Sequence, residues 1–597
     1  MSSDLQVQLP SPGSAGSGGP VLGPVRRVTA TALCVLVNLA LAACAANAPA
    51  PPPEGKPCCC APQTRSLPAE LLALPNGGVT VTSAMIIPAA AQTVSSTGRT
   101  FAATPAYCRL LGHISPVDPA APKIHFQVNL PAQWNRKALQ FGGSGFNGVL
   151  VSGLGPAPLA PPDAPLPITR GYATFGTDSG HQIAFGVEPQ AFALNDEALE
   201  NFAFAAYKKT RDAALALIQA YYGARPERTY FVGSGQGGRE GLVLAQRYPA
   251  DYDAIYAGAP TIGFVGLHVA RARMGVVQRS GGWLNPRKVE LLSKAVLKAC
   301  DGLDGLHDGI VGHHLACPAV FELHSLRCAG GSDAGDQCLS DAQIATVRTV
   351  RSPLRLNFAL ANGLSAYPGW GLGAESNPAQ WERFVTGDAP PALQAGSQAG
   401  PQAGPQAGPR DARNWLAGSG VLRYFIARDA SFDPATLRPE LFRARMQRLS
   451  SMLDATQPDL SAFQAWGGKL IVHQFSNDYA QSPYAGLEYV EAMERRMSPV
   501  RVDQFVRLYV TPGANHAGFG PGVPAGVDVL GLLEQWVEHG KPPPDAVVQT
   551  LQATAPPFTV LASRPMCRHP AYVRYNGTGD PQLAASYQCA PLQPSNQ

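Results

Sequence analysis

Charge is what this sequence has least of. Asp, Glu, Lys and Arg make up 15% of the 597 residues and leave a net +4, against about 25% in an ordinary soluble chain. No run of basic residues occurs. Nucleic-acid binding, which rests on clustered Lys and Arg facing phosphates, therefore has no support. An apolar stretch of bilayer length is missing too: Val28 to Leu41 falls short of the ~20 residues a spanning helix needs. The absence with the largest chemical consequence is that of one serine, at the position held by Gly235.

The amino terminus reads as a sorting segment. The first 24 residues are rich in Ser, Gly and Pro, lack apolar periodicity and are expected to be disordered. Arg26-Arg27 then precede the short apolar run, the pattern of a signal peptide. It ends Leu41-Ala-Ala-Cys44, which resembles a bacterial lipobox with Cys44 as the lipidated residue; an A-x-A cleavage site beside an incidental cysteine is the alternative. Residues 1–44 are thus leader and 45–60 a Pro-rich spacer. The expectation is an exported protein, lipid-anchored in the bacterial envelope or else periplasmic or secreted, meeting membrane only through that anchor.

Export implies an oxidising compartment, and the cysteines agree. With Cys34 and Cys44 set aside, ten of the twelve remain. The close pairs Cys300–Cys317, Cys328–Cys338 and Cys567–Cys589 read as local disulfides. Cys108 could take one of Cys58, Cys59 and Cys60; Cys60–Cys108 is carried forward, with the choice within the triplet open. Metal binding by the triplet lacks a zinc-spaced Cys/His partner nearby.

The stretch Thr229-Tyr-Phe-Val-Gly-Ser-Gly-Gln-Gly-Gly-Arg-Glu240 organises the rest. Tyr230 to Val232 predict a buried strand, the glycines a tight bend, and the residues from near Arg239 a helix. Strand, bend and helix form the setting of a nucleophile elbow, G-x-S-x-G, in which a strained turn holds a serine hydroxyl at its tip. Here the frame is Gly233-Ser234-Gly235-Gln236-Gly237, so the tip is Gly235 and carries no hydroxyl. Ser234 is one residue off and points elsewhere by strand alternation. A dinucleotide fingerprint is disfavoured, because no acidic residue closes a second strand at the required distance.

Three further segments fit an α/β-hydrolase core. Ala138 to Phe141 predicts a strand opening into Gly142-Gly-Ser-Gly145, whose N–H groups at Gly143, Ser144 and Gly145, with that of Gln236, suit an oxyanion hole. Gly467 to Pro483 is a strand ending at Asp478, placed as the triad acid, with helix capping the alternative. Phe505 to Val510 is a last strand followed by His516, placed as the general base. Asp178 and His181, after another strand, read as turn-holding residues. Asn195 through Tyr222 predicts one long helix.

Together Phe202-Ala-Phe-Ala-Ala-Tyr, Leu217-Ile-Gln-Ala-Tyr-Tyr-Gly, Gly237-Gly-Arg-Glu and Ala245-Gln-Arg-Tyr-Pro-Ala-Asp-Tyr-Asp-Ala-Ile resemble the tannase and feruloyl esterase family, from about Cys60 to Cys589. The resemblance implies an α/β-hydrolase core with a large inserted lid, serine-esterase chemistry on aromatic-acid esters, and no organic cofactor. Core is expected over 61–260 and 461–597 and lid over 261–460, the lid carrying a Gln-Ala-Gly repeat at 392–409. Trp370, Trp381, Trp415 and Phe425 could stack on an aromatic ligand or pack in the core.

In the lid, Cys300-Asp-Gly-Leu-Asp-Gly-Leu-His-Asp-Gly-Ile310 spaces hard oxygen donors on a tight loop, which suits Ca²⁺. Carried over from the family, Asp301, Asp304 and Asp308 give side chains and Leu306 and Ile310 give carbonyls. Much of the family also pairs a cysteine before the nucleophile with one after the histidine; Ser234 and Ala517 replace both here. The functional expectation is a carboxylic-ester hydrolase, or, with Gly235 in place of the nucleophile, a cell-surface binding protein for aromatic esters or acids. Hydrolysis through Ser234, or through water activated by His516 and Asp478, would keep it an enzyme.

Overall fold

The computed structural model describes residues 66–67, 78–95, 100–377, 380–391 and 411–592. The leader, the spacer, Cys44, Cys58, Cys59, Cys60 and the 392–409 repeat lie outside the described residues, and so do the readings placed on them. Among the described residues no helix is long and apolar enough to cross a membrane.

Among those residues the central sheet has twelve strands, which we number in chain order: β1 Ser66–Leu67, β2 Val79–Ile87, β3 Tyr107–Ile114, β4 Ile124–Pro131, β5 Lys137–Phe141, β6 Ala173–Thr177, β7 Arg228–Ser234, β8 Ala254–Gly258, β9 Lys469–Phe475, β10 Val506–Thr511, β11 Ala546–Gln552 and β12 Val560–Arg568. Their order across the sheet is β1-β2-β3-β4-β6-β5-β7-β8-β9-β10-β12-β11. The six from β6 to β10 are paired in parallel and the outer ones antiparallel. This is a hydrolase-type α/β fold.

Parallel strands must be covered on both faces, which is why β7 is apolar without alternation. Tyr230 and Val232 cluster with Leu530, Leu533 and Trp536 of the helix Val529–His539. Phe231, pointing the other way, clusters with Leu242 and Leu244 of the helix that follows the elbow. That helix, Gln236–Arg247, starts directly after Gly235 and not near Arg239. The other predicted helix is interrupted: Asp196–Glu200 passes through a wider turn at Asn201–Ala205 before Ala206–Tyr222, which ends at Gly223 in the left-handed conformation.

Between β8 and β9, adjacent and parallel in the sheet, the described residues of 259–468 add no strand to it. They build an apolar cluster from Phe264, Leu267 and Met274 of the helix Phe264–Val277 with Val296, Phe425 and Leu449, which Leu199 and Phe202 of the core join. Trp370 and Trp381 belong to that cluster at 3% and 0% exposure, which makes them core and not ligand-stacking residues. Trp415 lies under the Arg279 guanidinium, 3.8 Å from its ring centre.

The three local disulfides are formed: Cys300–Cys317, Cys328–Cys338 and Cys567–Cys589. Cys108 is disulfide-bonded as well, and its partner lies outside the described residues. Cross-links over loops of this size typically contribute ~2–4 kcal/mol each by restricting the unfolded chain.

Candidate active site

Four sheet elements bring the site together at the carboxyl ends of their strands. Gly235 sits between β7 and its helix with φ 61° and ψ −117°, a conformation costly for any residue with a side chain. The bend is tight because backbones touch: a Cβ on Gly233 would lie 2.5 Å from the Gly237 carbonyl group. The elbow geometry is therefore intact, with glycine at its tip.

A Cβ at Gly235 would lie 3.0 Å from Nε2 and 3.2 Å from Cε1 of His516. The other ring nitrogen, Nδ1, is 2.8 Å from Asp478 Oδ2. A carboxylate only accepts, so Nδ1 carries the proton and Nε2 offers its lone pair toward the elbow. Asp478 is fully buried; Oδ1 accepts from the N–H groups of Ala480 (2.8 Å) and Gln481 (3.1 Å), which fixes the carboxyl while Oδ2 orients the histidine. The structure thus joins Asp478, His516 and position 235 in the order and spacing of a catalytic triad. It does not join Ser234, whose Oγ points to Gly258 of β8, 3.1 Å from where a Cβ on that glycine would be. Among the described residues no hydrogen bond links Ser234 to His516.

The glycine-rich loop after β5 supplies the opposing wall. Gln236 is the first residue of its helix, so no carbonyl within the helix takes its N–H. The N–H groups of Ser144 and Gly145 donate to no acceptor among the described residues. Gly143 must be withdrawn as an oxyanion donor, because its N–H donates to Glu240 Oε2 (3.0 Å). Its carbonyl accepts from Gly237 N–H (2.9 Å), tying loop to elbow.

Glu240 was not singled out from the sequence, yet it holds this loop. Its carboxyl is completely buried and also accepts from Asn147 Nδ2 (2.9 Å). Burial pushes its pKa up; the Gly143 N–H and the neighbouring Arg239 pull against that. Arg239, also buried, donates to the carbonyls of Phe202, Ala203 and Leu453, the last from the inserted segment, so one side chain joins core to insert. The signal was an Arg-Glu pair in the first turns of a helix, flanked on either side by glycine.

Asp178 and His181 are structural, as their turn suggested. Asp178 Oδ1 accepts from the N–H groups of His125 (3.0 Å) and Gly180 (2.9 Å). His181 is buried, lowered to about 4 by that burial, and its Nε2 bonds the Phe146 carbonyl (3.1 Å). Both brace the loop beside the site.

A cleft of about 440 Å³ opens over the elbow, lined by Gly142 to Gly145, Pro156, Leu159, Ser234, Gly235, Gln236 and His516. Beside it Phe146 packs edge-on against Phe264 and Phe425 of the insert, at ring distances of 6.2 and 6.4 Å. Phe425 is thus the aromatic candidate that comes near the site, in contact with its loop.

The loop Cys300–Ile310 is bracketed by the Cys300–Cys317 bond. Asp301 Oδ1 accepts from Gly309 N–H (3.0 Å), Asp304 Oδ1 from Leu306 N–H (3.1 Å) and Asp308 Oδ1 from Ile310 N–H (3.0 Å), while Arg564 pairs with Asp308. Burial, with Asp308 and Asp301 adding to it, pushes the Asp304 carboxyl up to about 7. Among the described residues no three acidic, His or Cys side chains converge on an ion by themselves. Neither the Leu306 nor the Ile310 carbonyl accepts a hydrogen bond among those residues, so both remain available as further oxygen donors. Two buried carboxylates, Asp301 and Asp304, with Asp308 alongside and two available carbonyls, fit a hard divalent cation in chemistry.

Residues 108–590 match the family model described as tannase and feruloyl esterase. An uncharacterized esterase of Agrobacterium fabrum is 36% identical over 546 residues, covering 89% of this chain and 93% of that protein. The mono(2-hydroxyethyl) terephthalate hydrolase of Piscinibacter sakaiensis is 30% identical, covering 86% and 89%. Among solved structures, feruloyl esterase B from Aspergillus oryzae superimposes with a TM-score of 0.69 at 23% identity over 86% of this chain and 97% of that one, a likeness of fold.

Proposed function

The chain belongs to the tannase and feruloyl esterase family of carboxylic ester hydrolases, and from that premise we propose that its cleft binds esters of aromatic acids at a hydrolytic site whose nucleophile position is Gly235. The observation that carries this is the 3.0 Å between the Cβ position of Gly235 and His516 Nε2. Acid, base and oxyanion donors surround a point at which only the hydroxyl is lacking. The aromatic preference is supported by Phe146 and Phe264, which line a cavity adjoining His516, and by the aromatic-acid esters for which two of the relatives are named.

Without a hydroxyl at 235 the residues favour direct attack by water. His516 Nε2 takes one proton as the water oxygen bonds to the ester carbonyl carbon; Asp478 stabilises the imidazolium. The oxyanion is received by the N–H of Gln236 with those of Ser144 and Gly145. Collapse then expels the alkoxide, which takes the proton back from His516. Elsewhere, a site lacking a triad member keeps only ~10³–10⁴-fold acceleration over water, so the chain as it stands is closer to a binding protein than to a fast enzyme. Hydrolysis of 4-nitrophenyl esters of benzoic, hydroxycinnamic and acetic acids tests the preference: aromatic acyl groups should give the lower KM by tenfold or more, and equal values would remove the aromatic reading.

We further propose that the Cys300–Ile310 loop holds Ca²⁺ through Asp301, Asp304 and Asp308 with the carbonyls of Leu306 and Ile310. The ion would neutralise buried carboxylates and pin the insert; it takes no part in the reaction. A ligand at 100 times its Kd stabilises the folded state by about 2.7 kcal/mol. Chelation should therefore lower Tm by several degrees, restored by Ca²⁺ and abolished in Asp304→Asn. A Tm indifferent to chelator and Ca²⁺ would end this reading. We also propose export, for which the disulfides are the support.

A further inference from the structure

Behind the catalytic histidine lies a second, smaller cavity of about 60 Å³, sharing Gly145, Gln236 and His516 with the open cleft and lined otherwise by Phe146, Thr261, Phe264, His268, Arg271 and Gln481. Among its polar side chains, Gln481 leaves a donor without an acceptor. Gln481 is 1% exposed; its Oε1 accepts from Thr261 Oγ1 (2.5 Å), and its Nε2 has no partner. A buried amide nitrogen without an acceptor is costly and rare in a folded protein.

Arg271 adds charge to the same wall. Its Nε donates to the Ala480 carbonyl (2.9 Å), joined by Nη2, and its Nη1 donates to His268 Nε2 (2.9 Å). His268 accepts there because its Nδ1 proton goes to the Phe264 carbonyl (2.7 Å), leaving the ring neutral. A guanidinium has five N–H groups, so one on each terminal nitrogen stays uncommitted. Burial lowers the Arg271 pKa to about 10, which keeps it charged at neutral pH. No Asp or Glu lines the cavity. The nearby carboxyl, Asp478, has both oxygens taken by Ala480, Gln481 and His516.

We propose that this inner cavity is a carboxylate subsite, in which Arg271 and Gln481 receive an acceptor-only anionic group of the ligand while Phe146 and Phe264 flank its apolar part. The subsite rests on the hydrolytic reading of the adjoining cleft and names the ligand class more narrowly: either the acid released by hydrolysis or an ester whose acyl part carries a second, free carboxylate. Both present the same planar, two-oxygen acceptor, which a guanidinium and an amide satisfy together. Gln481 follows Asp478 closely in the chain and its N–H bonds that carboxyl, so occupancy of the subsite bears directly on the loop that holds the triad acid.

The test is equilibrium binding to the full chain as it exists, which needs no turnover. Benzoate should bind at least tenfold more tightly than its neutral isostere benzamide, and Arg271→Gln and Gln481→Leu should each erase the difference. Because Arg271 also holds the Ala480 carbonyl, Gln481→Leu serves as the variant that removes a donor without loosening that contact, and near-ultraviolet circular dichroism checks its packing. Monomethyl and dimethyl isophthalate then separate the sources. A tenfold preference for the monomethyl ester assigns the subsite to a carboxylate on the substrate; a preference seen with benzoate alone assigns it to the acid product. Equal affinity for benzoate and benzamide, or a preference that survives both substitutions, overturns the proposal. Failure of hydrolysis in a Gly235→Ser variant would instead strike the esterase reading and leave these binding ratios readable.

Discussion

Gly235→Ser should raise ester hydrolysis by a factor on the order of 10³–10⁶, the range set by what removal of a catalytic serine costs in other hydrolases. The new Cβ falls 3.0 Å from His516 Nε2, so a hydroxyl one bond further on has the base within hydrogen-bond reach without rearrangement of the elbow. Nucleophile, base and acid would then act as a unit, with acyl transfer to the serine replacing direct attack by water. The gain comes with a structural cost. A side chain at φ 61° and ψ −117° is strained by ~1–3 kcal/mol, and the Cβ contact asks His516 to give by a few tenths of an ångström. Its side chain is one-third exposed, so that movement is open to it. The variant should be faster and somewhat less stable, Tm and turnover moving in opposite directions. A rate within tenfold of the parent chain would mean that the elbow is not aimed at His516 as described.

His516→Ala on that background should take hydrolysis to or below the parent level, since the parent chain uses the same base, a loss on the order of 10³–10⁶-fold or more. Asp478→Asn should cost about 10⁴-fold by a different route. An amide in that position can present N–H to Nδ1, favouring the tautomer that puts a proton on Nε2 and removes the base. The two substitutions together should be no worse than His516→Ala alone, because members of one catalytic unit are strongly non-additive. Additive losses would show that Asp478 serves chiefly to hold its loop, through Ala480 and Gln481, and not the histidine.

What the sequence disclosed follows physical range. The strand before Gly235 was legible because burial on both faces leaves an unbroken apolar run, and Asp478 and His516 because each follows such a strand. The helix start was misplaced by three residues, since the glycines at 237 and 238 read as bend although close backbone contact with Gly143 and Gly258 requires them within the helix. Gly143 reads as an oxyanion donor in the sequence for want of its partner: that Glu240, nearly a hundred residues on, takes its N–H is a tertiary fact with no local signal. Arg271 and Gln481 were hidden for the same reason. Nothing in either neighbourhood marks a residue whose importance lies in converging on a common cavity from segments 210 residues apart. The loop Cys300–Ile310 shows the converse, a spacing of oxygen donors legible at once from the sequence.

Acid, base and oxyanion donors surround Gly235 as a hydrolytic site complete but for its nucleophile. The most direct measurement of that arrangement is fluorophosphonate labelling of the purified chain and of Gly235→Ser, with the modified residue located by mass spectrometry. The parent chain should take no site-directed label, the variant should be labelled at position 235, and that label should be lost when His516→Ala is added. Label on Ser234 of the parent chain would contradict that arrangement, and would mean that the serine beside the elbow tip has taken over the reaction.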